Sequence, residues 1–289
     1  MLLILSAVWG GSFFFTEIAL REVPPLTITL HRVVWALPVL AMVVWVQGIP
    51  LPRAPRLWGA YLVMGALNNA LPFSLIFWAQ TRIEGGLASI LNGTTAVFGA
   101  VVAGLLLKDE PLTARKIAGA ALGLAGVAVV MGPDALHQLD PRNVAQLAVI
   151  CAALCYASAG AWAKITLGGQ PPQMNALGML IGSTLWMIPV VLWVDGVPDL
   201  SLRGGTWAAL LSLAVVSTSG AYLLYFAILK RAGAANLMLV TLLLPPFAIA
   251  LGAVFLGEVL GPRAFAGFGV IALGILVTDG RILRLLQRT

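Results

Sequence analysis

The amino-acid sequence predicts an all-α polytopic membrane protein, with ten transmembrane helices in two five-helix repeats of opposite orientation. Three observations predict it. Hydrophobic residues make up 60% of the chain and charged residues 10%, with a mean hydropathy of +0.99. Average chains carry about 25% charged residues, so folding in water would expose more apolar surface than a soluble monomer tolerates. Apolar runs of about 20 residues recur, each long enough to cross roughly 30 Å of hydrocarbon. Finally, the second half of the chain repeats the first.

The runs span 2–20, 26–46, 57–80, 86–107, 113–131, 142–166, 173–194, 205–229, 235–256 and 263–280. Each is continuously apolar, unlike the alternating strand of a barrel. The first has no basic leader and no small-residue cleavage site, and so reads as a span and not a cleavable signal. Because the chain opens inside this helix, a few native residues are expected upstream. The links carry Pro, Gly and charge, as in Pro50-Leu51-Pro52-Arg53 and Gly168-Gly169-Gln170-Pro171-Pro172. No link is long enough for an extramembrane domain.

With a cytoplasmic N-terminus, one side holds Arg53, Arg56, Lys108, Arg115, Lys116, Lys164, Lys230, Arg231 and the basic residues of the tail. The other holds only Arg21, Arg82, Arg142, Arg203 and Arg263. Basic residues favour the cytoplasmic side, which predicts both termini there and a plasma (inner) membrane location.

A shift of 148 residues places Gly85 on Gly233, Glu110 on Glu258, Arg115 on Arg263, Gly119 on Gly267 and Gly126 on Gly274. Five spans per copy is an odd number, so the second copy enters from the opposite face. The predicted organisation is a first repeat at 1–132, an inverted repeat at 142–280 and a basic cytoplasmic tail at 281–289. Two bundles of opposite orientation give nearly equivalent shapes open to each side, the physical basis of alternating access around a midplane site.

Several functions are excluded by what the chain lacks. The net charge of +6 sits in short links, where it sets topology and does not bind nucleic acid. Cys151 and Cys155 share a face of one span as small packing residues, and His31 and His137 stand far apart, so no metal or other cofactor is expected. No catalytic motif is present, and an enzyme is not expected.

The stretch STSGAYLLYFAILKRAGAANLMLVTLLLPPFAIALGAVFLGEVL at Ser217–Leu260 resembles the EamA branch of the drug/metabolite transporter superfamily. So do AVWGGSFFFTEIAL at Ala7–Leu20, LHRVVWALPVL at Leu30–Leu40 and LLLKDEPLTARKIAGAALGLAGV at Leu105–Val127. The likeness covers nearly the whole chain; in length and aromatic content it is similar to aromatic amino-acid exporters of the YddG type. It implies a ten-helix basket around a central cavity, exporting amino acids or related small metabolites. Another solute class, proton-coupled import and a channel are the alternatives. The implied partners are membrane lipid and a small-molecule substrate, for a monomer. The chain departs from the family at Met179, where a basic partner for Arg32 is missing, and at Glu17, where Lys is common. Coupling stays open between facilitated flow and proton antiport.

Polar and aromatic residues inside spans are the cavity candidates. Asn68, Asn69, Ser89 and Asn92 need partners in hydrocarbon, either on neighbouring helices or in a wet cavity. Trp9, Trp78, Tyr156, Trp162, Tyr222 and Tyr225 suit either packing or stacking on a substrate. Ser219 and Thr241 join them. Glu17, His31 and Arg32 form a possible coupling site or ion pair: Glu17 and Arg32 flank the turn at Pro24-Pro25 at similar distances, and so at similar depth. Pro245 and Pro246 are the expected hinge. Glu110 with Arg115, and Glu258 with Arg263, are expected to pair at helix ends, as locks or as alternating latches.

Overall fold

The computed structural model describes residues 1–133, 137–244, 246–247 and 262–279. Glu258, Pro245 and the tail 281–289 lie outside the described residues. Among those described, the regular structure is helical. The helices are α1 (Leu2–Leu20), α2 (Pro25–Val46, interrupted between Val34 and Leu37), α3 (Pro55–Gln80), α4 (Gly85–Leu106, interrupted at Thr94) and α5 (Ala114–Met131). They continue with α6 (Val144–Leu167), α7 (Pro172–Val194), α8 (Gly204–Ala232), α9 (Ala234–Leu244, interrupted at Leu239) and α10 (Pro262–Asp279).

Seven of these, α1 to α4 and α6 to α8, are long and apolar enough to cross a membrane; α9 and the apolar part of α10 are shorter. Large apolar side chains cover the outer surface, with Trp193 88% exposed and Leu105 74% exposed. Such a surface is soluble only in lipid. The chain is a multi-pass membrane protein.

Proline sets the helix starts. Pro25, Pro55 and Pro172 each occupy a first helical position, where the missing N–H costs nothing and the fixed φ suits the helix. Inside helices its effects differ. Pro38 stands just past the break in α2, whereas α7 runs through Pro189 unbroken.

Two helices widen in mid-span. In α3 the turn Ala66–Ala70 is a π-helix directly before Pro72, which cannot donate to the carbonyl four residues back. In α8 the π stretch is Ser212–Gly220. There Thr218 Oγ1 donates to the Leu213 carbonyl (2.8 Å) and Ser219 Oγ to that of Ala214 (3.1 Å), taking up carbonyls five residues back. Shifted by 148, Ala66–Ala70 falls inside this second stretch. Such bulges gather at functional sites.

Hydrogen bonds fix two parallel neighbours. Tyr61 donates to Asn175 Oδ1 (3.2 Å) and Asn69 Nδ2 to Ser183 Oγ (2.6 Å), so α3 runs beside α7 in the same direction. Arg32 Nε donates to Thr218 Oγ1 (2.9 Å) and Ser219 Oγ to the Ala36 carbonyl (3.0 Å), which sets α2 beside α8 in the same way.

Helices α5 and α10 run antiparallel and touch backbone to backbone. A Cβ on Gly126 would lie 2.6 Å from Ile271 N and 2.9 Å from the Gly267 carbonyl oxygen. A Cβ on Gly274 would lie 2.6 Å from the Gly119 carbonyl oxygen. Without a hydrophobic drive between helices in lipid, such close approach is what holds them together.

Two polar clusters tie helix ends. The Glu22 carboxylate accepts from the Thr206 hydroxyl and from Arg203 N (3.3 Å), and pairs with Arg203 Nε at 2.5 Å, joining the end of α1 to the start of α8. Glu110 does not pair with Arg115 as expected. It pairs instead with Lys164 Nζ at 2.6 Å and accepts from Ala234 N (2.8 Å) and Ala235 N (2.9 Å), capping α9. A carboxylate gains more from a helix N-terminus plus a cation than from an exposed neighbour in its own link. Gly233, with φ +83°, makes room: a Cβ there would meet the Glu110 carboxyl carbon at 2.8 Å.

A candidate substrate cavity

A cavity of about 60 Å³ lies among α1, α2, α3, α4, α6, α8 and α9. Its walls follow helix periodicity. Helix α1 contributes Trp9, Ser12, Phe13 and Thr16, one face at three- and four-residue spacing; α3 contributes Phe73, Ile76, Phe77 and Gln80 in the same pattern. Asn68 enters from the widened turn of α3, Asn92 from the last turn before the break in α4, and Tyr156 from α6. Tyr222 and Tyr225 enter from α8, and Met238, Val240, Thr241 and Leu244 from α9. That volume holds a few water-sized positions.

The aromatic wall is a connected set. Trp9 stands 6.3 Å from Tyr222 and 6.1 Å from Tyr225, which are 6.0 Å from each other. Trp9 Nε1 donates to the Ser217 carbonyl (2.9 Å), which pins the indole to the π stretch of α8. The Tyr222 hydroxyl donates to Asn69 Oδ1, while Asn69 Nδ2 donates to Ser183. Asn69 is therefore one step behind the wall, holding Tyr222 in place with both ends of its amide.

Among the described residues, one charge lines the cavity. Arg32 is 4% exposed. Its Nε and Nη2 donate to Thr218 Oγ1 (2.9 Å) and the Ser217 carbonyl (3.2 Å), and its guanidinium lies 3.9 Å over the Phe73 ring. No carboxylate among the described residues reaches it. A cation at this depth in a span costs about 2.5–3.5 kcal/mol on insertion scales, and a desolvated cation–π contact offsets roughly 2 kcal/mol of that.

The pair expected between Glu17 and Arg32 is absent. Glu17 is exposed on the outer face of α1, whereas Arg32 turns inward to α8. Equal distance from a turn sets depth but not the direction around the helix axis. His31 also lies outside the lining. Its Nδ1 accepts from Trp35 Nε1 (2.9 Å), and its ring sits 6.4 Å from Trp35 and 5.6 Å from Trp207.

Of the other candidates, Trp9, Asn68, Asn92, Tyr156, Tyr222 and Thr241 line the cavity. Trp78, Ser89, Trp162 and Ser219 do not. Trp78 stacks under Arg82 (4.1 Å) at the end of α3, and Trp162 Nε1 donates to the Ala60 carbonyl (3.1 Å), tying α6 to α3. Ser219 ties α8 to α2, and Ser89 is buried in α4 away from the lining. Pro246 is helical and half-buried.

Sequence reasoning missed Ser12, Thr16, Phe73, Phe77 and Gln80. The i, i+3, i+4, i+7 spacing from Trp9 and back from Gln80 was the available signal. Among the described residues no group of His, Cys, Asp and Glu has the arrangement of a metal site.

The family follows from comparison with known proteins. The model of the EamA-like transporter family matches residues 1–132 and 143–278. The chain belongs to that family. Its members are transporters. The chain is 28% identical to Protein PecM of Dickeya dadantii, over 94% of this chain and 89% of that protein. It is 26% identical to a protein of Streptantibioticus cattleyicolor named a probable terminal-alkyne amino-acid exporter, over 97% and 93% of the two chains. A crystal structure with 18% sequence identity shares the fold, with a TM-score of 0.78 over 100% of this chain and 98% of that one.

Proposed function

We propose that this transporter exports amino acids or related small metabolites across the plasma (inner) membrane, by alternating access through the cavity among α1 to α4, α6, α8 and α9. In this reading its spans are ten, in two inverted repeats at 1–132 and 142–280, with both termini and the tail 281–289 in the cytoplasm.

The observation that carries it is the crossed contact of α5 and α10. Gly119 meets Gly274 and Gly126 meets Gly267, and a shift of 148 turns Gly119 into Gly267 and Gly126 into Gly274. Each residue thus touches the counterpart of the other, which is the signature of a two-fold axis. Because the two helices are antiparallel, a two-fold axis relating them would run across them, which supports the inverted-repeat reading. The matching π stretches of α3 and α8 support the same relation, as do the parallel pairs α3 with α7 and α2 with α8. Repeats related in this way exchange roles as the molecule opens to one side and then the other. The amino-acid assignment is supported by the exporter named in Streptantibioticus cattleyicolor and by a wall that mixes aromatic rings with amides.

The test is counterflow in proteoliposomes with a panel of labelled amino acids, with and without a pH gradient. Saturable exchange is expected. Failure of every amino acid to exchange overturns the substrate assignment, and single-channel currents would replace a carrier with a channel. Cysteines placed at Arg115 and Arg263 should label from opposite sides; labelling from one side ends the inverted-repeat reading.

A further inference from the structure

We propose that Arg32 is the carboxylate receptor of the cavity, and that the unpaired amide oxygen of Asn92 receives the ammonium of the same solute. The ligand class is therefore an α-amino acid zwitterion with an apolar or aromatic side chain. This deepens the export reading and rests on it.

The cavity wall has two kinds of unmet need. Arg32 brings five N–H donors and a full charge, yet its hydrogen bonds go to a hydroxyl and a backbone carbonyl, both neutral, through Nε and Nη2. Nη1 makes no hydrogen bond among the described residues. A buried guanidinium favours a carboxylate, which it can grip with two parallel bonds. The second need is for donors. Asn68 Oδ1, Gln80 Oε1 and Asn92 Oδ1 are buried, line the same cavity, and have no partner among the described residues. Leaving such oxygens unpaired is costly. Asn68 and Gln80 stand twelve residues, about 18 Å, apart along α3 and cannot meet one small group. Asn92 lies seven residues into α4, as Arg32 lies seven into α2, and an ammonium there supplies the donor it lacks. The apolar remainder of the wall, with Trp9, Phe73, Phe77 and Tyr156, suits a side chain that stacks or packs.

Other ligand classes meet fewer of these needs. An organic cation would face Arg32 with no acid among the described lining residues to receive it. A phosphate ester or sugar nucleotide would find one cation where multiple charges need several. A plain carboxylate would leave the amide oxygen of Asn92 unpaired.

The experiment is counterflow of labelled phenylalanine in proteoliposomes, challenged with phenylalanine methyl ester, phenethylamine and 3-phenylpropionate. Unlabelled phenylalanine should compete at its own KM, while removing either charged group should raise the competing concentration about tenfold or more. Arg32→Gln should abolish exchange or raise KM by a similar factor, and Arg32→Lys should retain part of it. Competition by phenethylamine or the ester equal to that of phenylalanine overturns the inference, as does wild-type KM in Arg32→Gln. Should Arg32→Gln fail to fold, the competition on the unaltered protein still decides. If phenylalanine is inert but a labelled monocarboxylate exchanges in an Arg32-dependent way, the carboxylate receptor stands and the amino-acid reading falls.

Discussion

Gly119 and Gly274 meet backbone to backbone: a Cβ on either would lie 2.6 Å from the carbonyl oxygen of the other. Neither helix can take a side chain here without parting from its neighbour. Gly119→Val and Gly274→Val should lower the melting temperature in detergent sharply, because the overpacking cost of roughly 1–3 kcal/mol is raised by backbone that cannot yield. Gly269→Ala is the control, since a Cβ there meets nothing within 4 Å. Equal stability of Gly119→Val and Gly269→Ala would dissolve the interface.

Asn92 and Trp78 separate the cavity wall from the frame. Asn92 lines the cavity, whereas Trp78 stacks with Arg82 at a helix end. Asn92→Ala should raise KM about tenfold, the scale of one hydrogen bond to a charged group, with expression unchanged. Trp78→Ala should leave KM alone. Counterflow kinetics of the two variants check this, and a reversed order would put Trp78 in the wall and Asn92 in the frame.

Asn69 positions rather than contacts. Asn69→Ala leaves the Tyr222 hydroxyl and Ser183 without their shared partner, at about 1–3 kcal/mol. Melting temperature and transport should fall together. Asn69→Asp, which still accepts from Tyr222, should recover part of the transport.

Glu22 gives an acid-sensitive tie between α1 and α8. The Thr206 hydroxyl, with Arg203 beside it, holds its carboxyl below the usual range. A depressed acid contributes stability that is complete above the unfolded value, near 4.3 for Glu, and is lost as pH falls through the folded one. Melting curves from pH 6 down to about pH 3 should therefore drop more steeply for the native protein than for Glu22→Gln. Parallel curves would show that the tie carries no stability.

Glu110→Ala should destabilise more than Lys164→Ala. The first leaves Lys164 with Asp109 as its partner (2.6 Å) but uncaps two N–H groups of α9, about 1 kcal/mol for the cap alone. Removing Lys164 leaves that cap in place. Thermal unfolding of the two variants gives the order.

Much of the molecule was legible in the chain because hydrocarbon imposes one simple demand. A span must be apolar for about 20 residues and must satisfy its own backbone, so the helix positions, the membrane class and the stripe of glycines at 119, 126, 267 and 274 could be read directly. Spacing also placed Trp9, Asn68, Asn92, Tyr156 and Tyr222 inside spans. It could not say which way a side chain turns about its helix axis. Trp162 and Ser219 have the composition of cavity residues and spend their donors on backbone carbonyls of α3 and α2.

Sequence by itself determined the all-helical membrane class and the apolar character of the segments, since hydropathy and residue identity are properties of the linear chain. Only the tertiary structure decided which polar groups found each other. It sent Arg32 to Thr218 and Phe73 while Glu17 stayed outside, and it gave Glu110 to the start of α9 and to Lys164, away from Arg115. The reason is physical: depth follows from counting residues along a helix, but partnership depends on the azimuth of two helices brought together from far apart in the chain.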